Sequence, residues 1–354
     1  MIKKQISIVI PTYNMEKFIG KCLDSLLIPE LDRVEVLVVN DGSKDRSSEI
    51  AHSYADRYPG SIRVIDKANG NYGSCINAAL PLCTGRYVKV LDADDTFDTG
   101  AFSVYVKALS KRDEDVVVND YAMVYDDKPD SPRPTFRQLG YEAEKTYSFE
   151  DVYRYISADL HMHCVAYKLG NILAMNYRQT EGVSYTDNEW IFAPIGIADS
   201  FAFVDCGYLY RYLLGRGGQT VDPAMSLARI HDHFDVIKAQ AAFWAQGHVI
   251  GRRKQYLETQ LLGHALLVYS MVIKGGKKDS HARLADFDRQ IKADYPGLYG
   301  LLDEVVYAPR VPYRYIKKYR ESGCSPEFGI PSIVKIADRA ICFAAKVKNI
   351  VFGN

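Results

Sequence analysis

The sequence has no excess of either charge and no long apolar run. Its 354 residues include 44 Lys and Arg against 44 Asp and Glu, so the formal net charge is zero. This balance argues against a polycation that binds nucleic acid through overall charge, and we expect no nucleic-acid partner. Because no apolar run reaches about 18 residues, no membrane-spanning helix is expected.

Closely spaced cysteine pairs are also missing. The seven cysteines are scattered, odd in number and never form a C-x-x-C pair, which favours buried thiols in a reducing compartment over a disulfide framework. Residues 1–5 contain no apolar signal core and no cleavage site. We therefore expect a cytoplasmic protein, and peripheral attachment to the inner face of the plasma membrane stays open.

The first 120 residues alternate short apolar segments with segments of helical periodicity. Strands are predicted over 6–10, 34–39, 62–65, 87–91 and 116–118, and helices over about 19–27, 45–57 and 74–82. This order predicts an α/β, Rossmann-like fold with a mostly parallel sheet flanked by helices. Ligands of such sheets bind at the carboxyl ends of the strands. From about residue 222 the pattern is mostly helical, and the predicted boundary lies near 215–218.

Three carboxylates follow the fourth predicted strand, at Asp92, Asp94 and Asp95. Their mutual repulsion is relieved by a divalent cation, and hard ions such as Mg²⁺ or Mn²⁺ prefer oxygen ligands. The alternative is a solvated acidic turn or a helix N-cap. Asp41 ends the second strand, where it can accept an N–H of a nucleobase, and Tyr13 follows the first strand, where it can stack on a base. Turn formation alone also explains these residues.

The order of these segments resembles the family 2 glycosyltransferases, which have the GT-A fold. Spacing agrees across about residues 5–100 and more weakly to about 215, and the last 140 or so residues are not covered. The matching segments are 7–14, 35–45, 69–70, 77, 84–87 and 91–95.

The resemblance implies an inverting transferase with a nucleotide-sugar donor and a divalent metal (Mn²⁺ or Mg²⁺). Uridine is the favoured nucleoside of the donor. The acceptor is expected to be a cell-surface glycan or a lipid-linked precursor. Residues 1–215 would form the catalytic domain, with donor binding in 1–100 and the acceptor part in 101–215, and 216–354 would form a helical region. The resemblance implies that Pro11, Thr12 and Tyr13 line the pocket for the nucleobase, that Asp41 binds the nucleobase and that Asn69 lies near it. It also implies that Asp92 contacts the ribose or the sugar and that Asp94 holds the metal.

The same family places its general base in a Glu-Asp pair. Here Asp187 falls at the position of the Asp, but Thr186 stands in place of the Glu. Asp187 is therefore the predicted base, Glu189 is the fallback, and a helix N-cap at Asp187 is the structural alternative.

A second departure concerns the donor. Many family members carry an Arg just before the Asn of the third helix, and here that position is Ile76. Lys67 and Arg86 are the nearby cations in the sequence. An expected basic or amide-bearing loop over the diphosphate corresponds to 216–220, together with Tyr210, Arg211 and Tyr212 just before it. A solvated Gly-rich linker between domains is the alternative.

Other patterns predict weaker sites. His161 and His163 lack a partner pair at zinc spacing, and on a strand they would share one face, so one of them could line the acceptor cleft. The stretch 310–320 has five basic residues among tyrosines, and 333–350 has an amphipathic helical pattern. This region either docks on an anionic membrane surface or packs on protein.

Two other functions compete with this one. A sugar-phosphate nucleotidylyltransferase needs a Gly-rich, Arg-bearing loop after the first strand, where this chain has 11–14 instead. A non-catalytic glycan-binding protein stays open. The dinucleotide-binding G-x-G-x-x-G and the P-loop are both absent. Nothing in the sequence indicates an oligomeric state.

Overall fold

The computed structural model describes residues 4–125, 128–143, 145–158, 160–215, 223–306, 313–332 and 334. The chain divides into two compact units, Met1–Gln219 with Gly247–Leu257, and Thr220–Gln246 with Glu258–Asn354. The predicted boundary and the predicted loop over the diphosphate fall on 216–222, which lie outside the described residues.

A mixed sheet forms the centre of the first unit. Its order is β3-β2-β1-β4-β9-β6-β10-β5, with β7 beside β6 and β8 beside β10. The strands within the described residues are β1 (Ile6–Thr12), β2 (Val34–Asn40), β3 (Ile62–Asp66), β4 (Tyr87–Val90), β5 (Thr96–Phe97), β6 (Val116–Tyr125), β7 (Ser131–Pro132), β8 (Thr146–Ser148), β9 (Val165–Lys168) and β10 (Ser200–Leu214).

The first four strands pair in parallel, as does β6 with β10. All seven residues of β2 are buried, as expected for a central parallel strand covered on both faces. The predicted mostly parallel sheet with flanking helices is confirmed. The short strand β9 runs antiparallel between β4 and β6, and the sequence did not predict it.

Helices flank the sheet and form most of the second unit, as predicted. In the first unit they are α1 (Ile19–Asp24), α2 (Ser47–Arg57), α3 (Asn71–Ala79), α4 (Thr99–Leu109), α5 (Phe149–Ala158), α6 (Leu169–Ala174), α7 (Asp187–Trp190) and α8 (Ala193–Ile197). The later helices are α9 (Pro223–Ala228), α10 (Ile230–Ala245), α11 (Gly251–Gly275), α12 (Lys278–Asp294), α13 (Pro296–Glu304) and α14 (Tyr315–Glu321).

The second unit has its own packed interior. The rings of Phe234 and Phe287 stack with their centroids 4.3 Å apart, and Arg320 bonds the carboxylates of Asp288 and Asp303. Among the helices of the described residues, none combines the length and apolar character needed to cross a membrane. The predicted amphipathic segment 333–350 and the start of the basic stretch, residues 310–312, lie outside the described residues.

A buried carboxylate aligns the strands that lead to the strand-end loops. Glu35 on β2 accepts bonds from the Ser7 hydroxyl at 2.5 Å and from the Thr84 amide at 2.7 Å. Gly85 comes so close to β1 that an added Cβ would lie 2.4 Å from the Ser7 nitrogen. These contacts set the start of β4 against β1, and so they set where β4 ends.

Six of the cysteines lie within the described residues, and none of these forms a disulfide. Cys22, Cys75, Cys83 and Cys164 are buried, whereas Cys206 and Cys324 are partly exposed. Cys342 lies outside the described residues. The described thiols agree with the prediction that no disulfide framework holds the chain together.

Candidate active site

Three loops leave the same edge of the sheet. Thr12 at the end of β1 pairs with Asn40 at the end of β2, and β4 runs parallel to β1 on its other side. The residues that follow these strands are therefore neighbours. Thr12 is buried and its hydroxyl donates to the Ile10 carbonyl, whereas Tyr13 is 45% exposed. Pro11 is partly exposed on the same strand.

Asp41 is buried at this edge and is the acceptor for the loop after β3. Its Oδ1 accepts from Lys67 Nζ at 2.7 Å and from the Gly70 amide at 2.9 Å. Its Oδ2 accepts from Asn69 Nδ2 and from the Asn71 amide, both at 2.9 Å. The structure thus brings Asn69 to Asp41, the two residues that the resemblance implies lie near the base.

The three carboxylates after β4 lie in one tight turn, in which the Asp95 amide donates to the Asp92 carbonyl at 3.0 Å. Asp95 is buried, and its carboxylate accepts from the Tyr210 hydroxyl at 2.8 Å and the Leu213 amide at 2.7 Å. Burial and the charges of Asp92 and Asp94 raise the pKa of Asp95 well above its usual value. This repulsion is what a bound cation would relieve.

His163 joins this acidic turn from a distant part of the chain. One ligand atom each of Asp92, Asp95 and His163 lie within 4.8 Å of one another. The imidazole lies between the rings of Tyr210 and Tyr212, with centroids 4.5 and 4.4 Å away. Its Nδ1 is buried without a hydrogen-bond partner among the described residues.

The His163 ring is electrically suited to bind a metal. Burial, helped by the charges of His161 and Lys89, lowers its pKa to about 3, so the ring is neutral near pH 7. Two carboxylates and a neutral imidazole are a fitting donor set for Mn²⁺ and, through the carboxylates, for Mg²⁺. Asp94 is partly exposed in the same turn, and its implied role on the metal stays a prediction.

The region around His163 corrects one expectation. Residues Met162–Cys164 form a 3-10 turn and not a strand, so His161 and His163 do not share a strand face. His161 is exposed and packs against Tyr121 at 5.6 Å. The His163 side chain instead lies beside the carboxylates of the acidic turn.

Asp187 begins the short helix α7. The N-cap position is Thr186, so Asp187 is not the helix N-cap that the alternative required. The pKa of Tyr72 is raised by desolvation, then by Asp92 and, less strongly, by Asp187. Since the Tyr72 hydroxyl donates to Asp92 Oδ1 at 2.8 Å, Asp187 acts on a group that contacts the acidic turn.

Glu189 bonds the segment that precedes α7. It is 6% exposed, and its Oε2 accepts from the Thr180 amide at 2.9 Å. Its other oxygen is buried without a partner among the described residues. Asp187 is partly exposed, and burial raises its pKa, which makes it a stronger proton acceptor. Burial also raises the pKa of Glu189, so the pKa shifts do not separate the two carboxylates, and Asp187 as the base stays a prediction.

The segment that leads to Asp187 is held on α3. Asn77 donates to the Gln179 carbonyl at 2.8 Å and accepts from the Gln179 amide at 2.9 Å. Gly73 allows this close approach, because an added Cβ would lie 2.1 Å from the Thr180 carbonyl oxygen. Asn77, one of the residues that match the family pattern, therefore positions the segment that leads to Asp187.

Comparison with known proteins identifies the family of the N-terminal part of the chain. Residues 7–170 match the family model described as Glycosyl transferase family 2. This segment belongs to glycosyl transferase family 2. The Bacillus subtilis (strain 168) protein "Uncharacterized glycosyltransferase EpsJ" is 40% identical over 112 residues, which are 32% of this chain and 32% of that protein. Among eight curated relatives, the matched region covers between 17% and 49% of the relative's length.

Solved structures show the same fold. Staphylococcus aureus TarS 1–349 in complex with UDP-GlcNAc superposes with a TM-score of 0.63 at 19% identity, covering 93% of this chain and 95% of that one. The mannosyltransferase PcManGT from Pyrobaculum calidifontis, in complex with GDP-Man and Mn²⁺, has a TM-score of 0.50 at 17% identity, and 85% of each chain is covered. The predicted GT-A-type fold is confirmed.

The cations near the missing family Arg have distinct positions in this glycosyltransferase domain. Ile76 is fully buried, so position 76 faces the core. Arg86 precedes β4 and bonds Asp113 at 2.7 Å, at the amino end of that strand and away from the acidic turn. Lys67 does reach the candidate site, where it bonds Asp41.

Sequence reasoning did not assign three site residues. His163 was identified as a candidate for the acceptor cleft, but not for the acidic turn. Tyr72 and Tyr210 were not assigned to the acidic turn, although both hydroxyls bond it. Their positions depend on α3 and β10, and the spacing along the chain carries no signal for either contact.

Proposed function

We propose that the protein transfers a sugar from a nucleoside diphosphate sugar, with uridine the favoured base, to a hydroxyl of a glycan or lipid-linked acceptor. The observation that carries this proposal is the meeting of Asp92, Asp95 and His163 at the strand-end edge, where the Tyr72 hydroxyl also bonds Asp92. The ligands of the structural neighbours, UDP-GlcNAc in TarS and GDP-Man with Mn²⁺ in PcManGT, support a nucleotide-sugar donor and a divalent metal.

The donor's base lies at the ends of β1 and β2 in this proposal. Asp41 accepts an N–H of the base, and because its carboxylate already accepts four protein bonds, one of its three neutral donors must give way to the base. Tyr13, which is 45% exposed, stacks on the face of the base. Asn69 holds Asp41 from the side at 2.9 Å. Asp92 then contacts the ribose or the sugar, since it follows β4 next to these loops.

The diphosphate lies at the acidic turn. Asp94, with Asp92, Asp95 and His163 beside it, holds Mn²⁺ or Mg²⁺. When bound, the ion stabilises the negative charge of the departing diphosphate as a Lewis acid. Tyr210 and the Leu213 amide fix Asp95 and so keep the turn in one arrangement.

Asp187 is the general base. A hydroxyl is a weak nucleophile near pH 7, and a carboxylate within hydrogen-bond reach removes its proton as the new bond forms. Attack on the face of the sugar opposite the leaving diphosphate inverts the anomeric carbon in one displacement. Protonated Asp187 then returns its proton to solvent.

A binding experiment tests this function. The wild-type protein is titrated with UDP, GDP, CDP and UDP-GlcNAc, with Mn²⁺ and with EDTA, by calorimetry and thermal shift. We expect UDP and UDP-GlcNAc to bind with Mn²⁺ and much more weakly with EDTA. Asp94→Ala should abolish the metal-dependent part, whereas Asp56→Ala, at an exposed position on α2, should bind as wild type does. No binding of any nucleotide with Mn²⁺ would refute the proposed function.

A further inference from the structure

Lys67, the cation nearest in sequence to the missing family Arg that reaches the candidate site, is held by three protein hydrogen bonds. Its ammonium bonds Asp41 Oδ1 at 2.7 Å, the Ala68 carbonyl at 2.6 Å and the Ser74 hydroxyl at 2.8 Å. The Lys67 side chain is 22% exposed, while that of Asp41 is 3% exposed. The cation thus covers a buried carboxylate and is itself held by its own loop and by α3.

The three bonds account for the whole donor capacity of the lysine. An ammonium has three N–H donors and no acceptor, and all three point at protein atoms. A contact with the diphosphate would require at least one of these bonds to break. The cation that the sequence offers in place of the family Arg is therefore committed to the base side of the site.

Asp41 depends on this cation. A buried carboxylate is tolerated only when it is paired and hydrogen-bonded, and removal of its charge partner leaves it uncompensated. Its other three donors, the Asn69 side chain and the amides of Gly70 and Asn71, are neutral. Among these four donors to the Asp41 carboxylate, Lys67 is the one that balances its charge.

We propose that Lys67 is a positioning residue for the donor nucleobase, which acts by holding Asp41 as a charged, oriented acceptor and makes no contact with the diphosphate. This inference rests on the proposed function, in which Asp41 accepts an N–H of the base. Lys67 is thus a cation on the base side of the site, in a chain that has Ile76 where many family members have an Arg.

The test compares ligands that share the base and differ in phosphate number. Dissociation constants of uridine, UMP and UDP are measured with Mn²⁺ for wild type and Lys67→Met, with uridine measured by competition. We expect all three ligands to bind about ten- to a hundredfold more weakly to the variant, by the same factor for each, because a charge-assisted bond to the base acceptor is lost. In turnover assays KM should rise with kcat nearly unchanged.

Control variants separate positioning from folding. Lys67→Arg, which keeps the charge, should recover most of the affinity, and Lys21→Met, at an exposed position on α1, should bind as wild type does. In an Asp41→Asn background, Lys67→Met should add little, since the charge that it balances is gone. An unchanged Mn²⁺ affinity without nucleotide would show that the acidic turn of the variant is intact.

Several outcomes would overturn the inference. A loss that grows from uridine to UDP would place Lys67 on the phosphates, and unchanged or tighter binding of Lys67→Met would show that it does not support the base acceptor. If wild type does not bind UDP at all, the proposed function itself fails. If wild type binds UDP and only the Lys67→Met result disagrees, the proposed function stands and this inference is wrong.

Discussion

Gly73→Ala should push the segment that leads to Asp187 away from α3. The new Cβ would lie 2.1 Å from the Thr180 carbonyl oxygen and 3.0 Å from Gln179 Cβ. Carbon–oxygen contacts are normally about 3.3 Å or longer, so the two segments must move apart by about 1 Å. That shift strains the two hydrogen bonds between Asn77 and Gln179, at 2.8 and 2.9 Å. It also strains the hydrogen bond that the Thr180 N–H donates to the Glu189 carboxylate at 2.9 Å.

The magnitude follows from these contacts. Overpacking costs about 1–3 kcal/mol and each weakened bond about 1 kcal/mol, while Ala in place of Gly in a helix returns about 1 kcal/mol. We expect a loss of about 3–5 kcal/mol in the free energy of unfolding, measured by urea denaturation. Turnover should fall more than UDP affinity, because the displaced segment leads to Asp187 and not to the base pocket.

A matched glycine tests the steric argument. Gly263 lies within α11, is exposed, and has no atom within 4 Å of an added Cβ. Gly263→Ala should therefore stabilise the protein by about 1 kcal/mol and leave turnover unchanged. A Gly73→Ala variant as stable and active as wild type would refute the close-approach reasoning.

Three further predictions test separate parts of the site. Asp187→Asn should lower kcat by about a hundredfold or more with donor affinity near wild type, and Glu189→Gln should keep most of its turnover; the reverse ranking in steady-state kinetics would exchange their roles. His163→Phe, which keeps a ring between the tyrosines, should weaken Mn²⁺ binding in calorimetry by about tenfold or more, and equal Mn²⁺ affinity would exclude His163 as a ligand. Burial lowers the pKa of Lys89 to about 7, so above this pH the unfolded state binds more protons than the folded state. The free energy of unfolding of wild type should therefore rise, relative to that of Lys89→Met, by about 1.4 kcal/mol per pH unit between about pH 7.5 and pH 9. Urea denaturation at several pH values measures this difference. A pH-independent difference would contradict the Lys89 prediction.

The parallel part of the sheet could be predicted because its strands are short, mostly apolar and rich in β-branched residues. β1 and β2 read as strands from their β-branched residues alone, and a parallel arrangement of such strands is enough to place Asp41 and the Asp92–Asp95 turn at one edge. β9 could not be predicted in the same way. It has only four residues, one of them Lys168, and its place in the sheet depends on long-range pairing with β4 and β6.

The limits at the site have the same physical origin. His163 reaches the acidic turn because β9 runs antiparallel to β4, so the start of β9 meets the end of β4 across a long stretch of intervening chain. Lys67 is close to Asp41 because β2 and β3 pair in parallel and both strands end beside each other. The sequence places Lys67 near the strand-end loops, but its three bond partners, on which the proposed base-side role rests, depend on the tertiary structure.

The most direct test of the account is a crystal structure with UDP and Mn²⁺, with anomalous scattering recorded at the manganese edge. We predict an anomalous peak within coordination distance of the Asp92–Asp95 turn and His163, the diphosphate on the ion, and the uracil N3–H bonded to Asp41. A manganese peak away from this turn, or UDP bound elsewhere on the protein, would contradict the account.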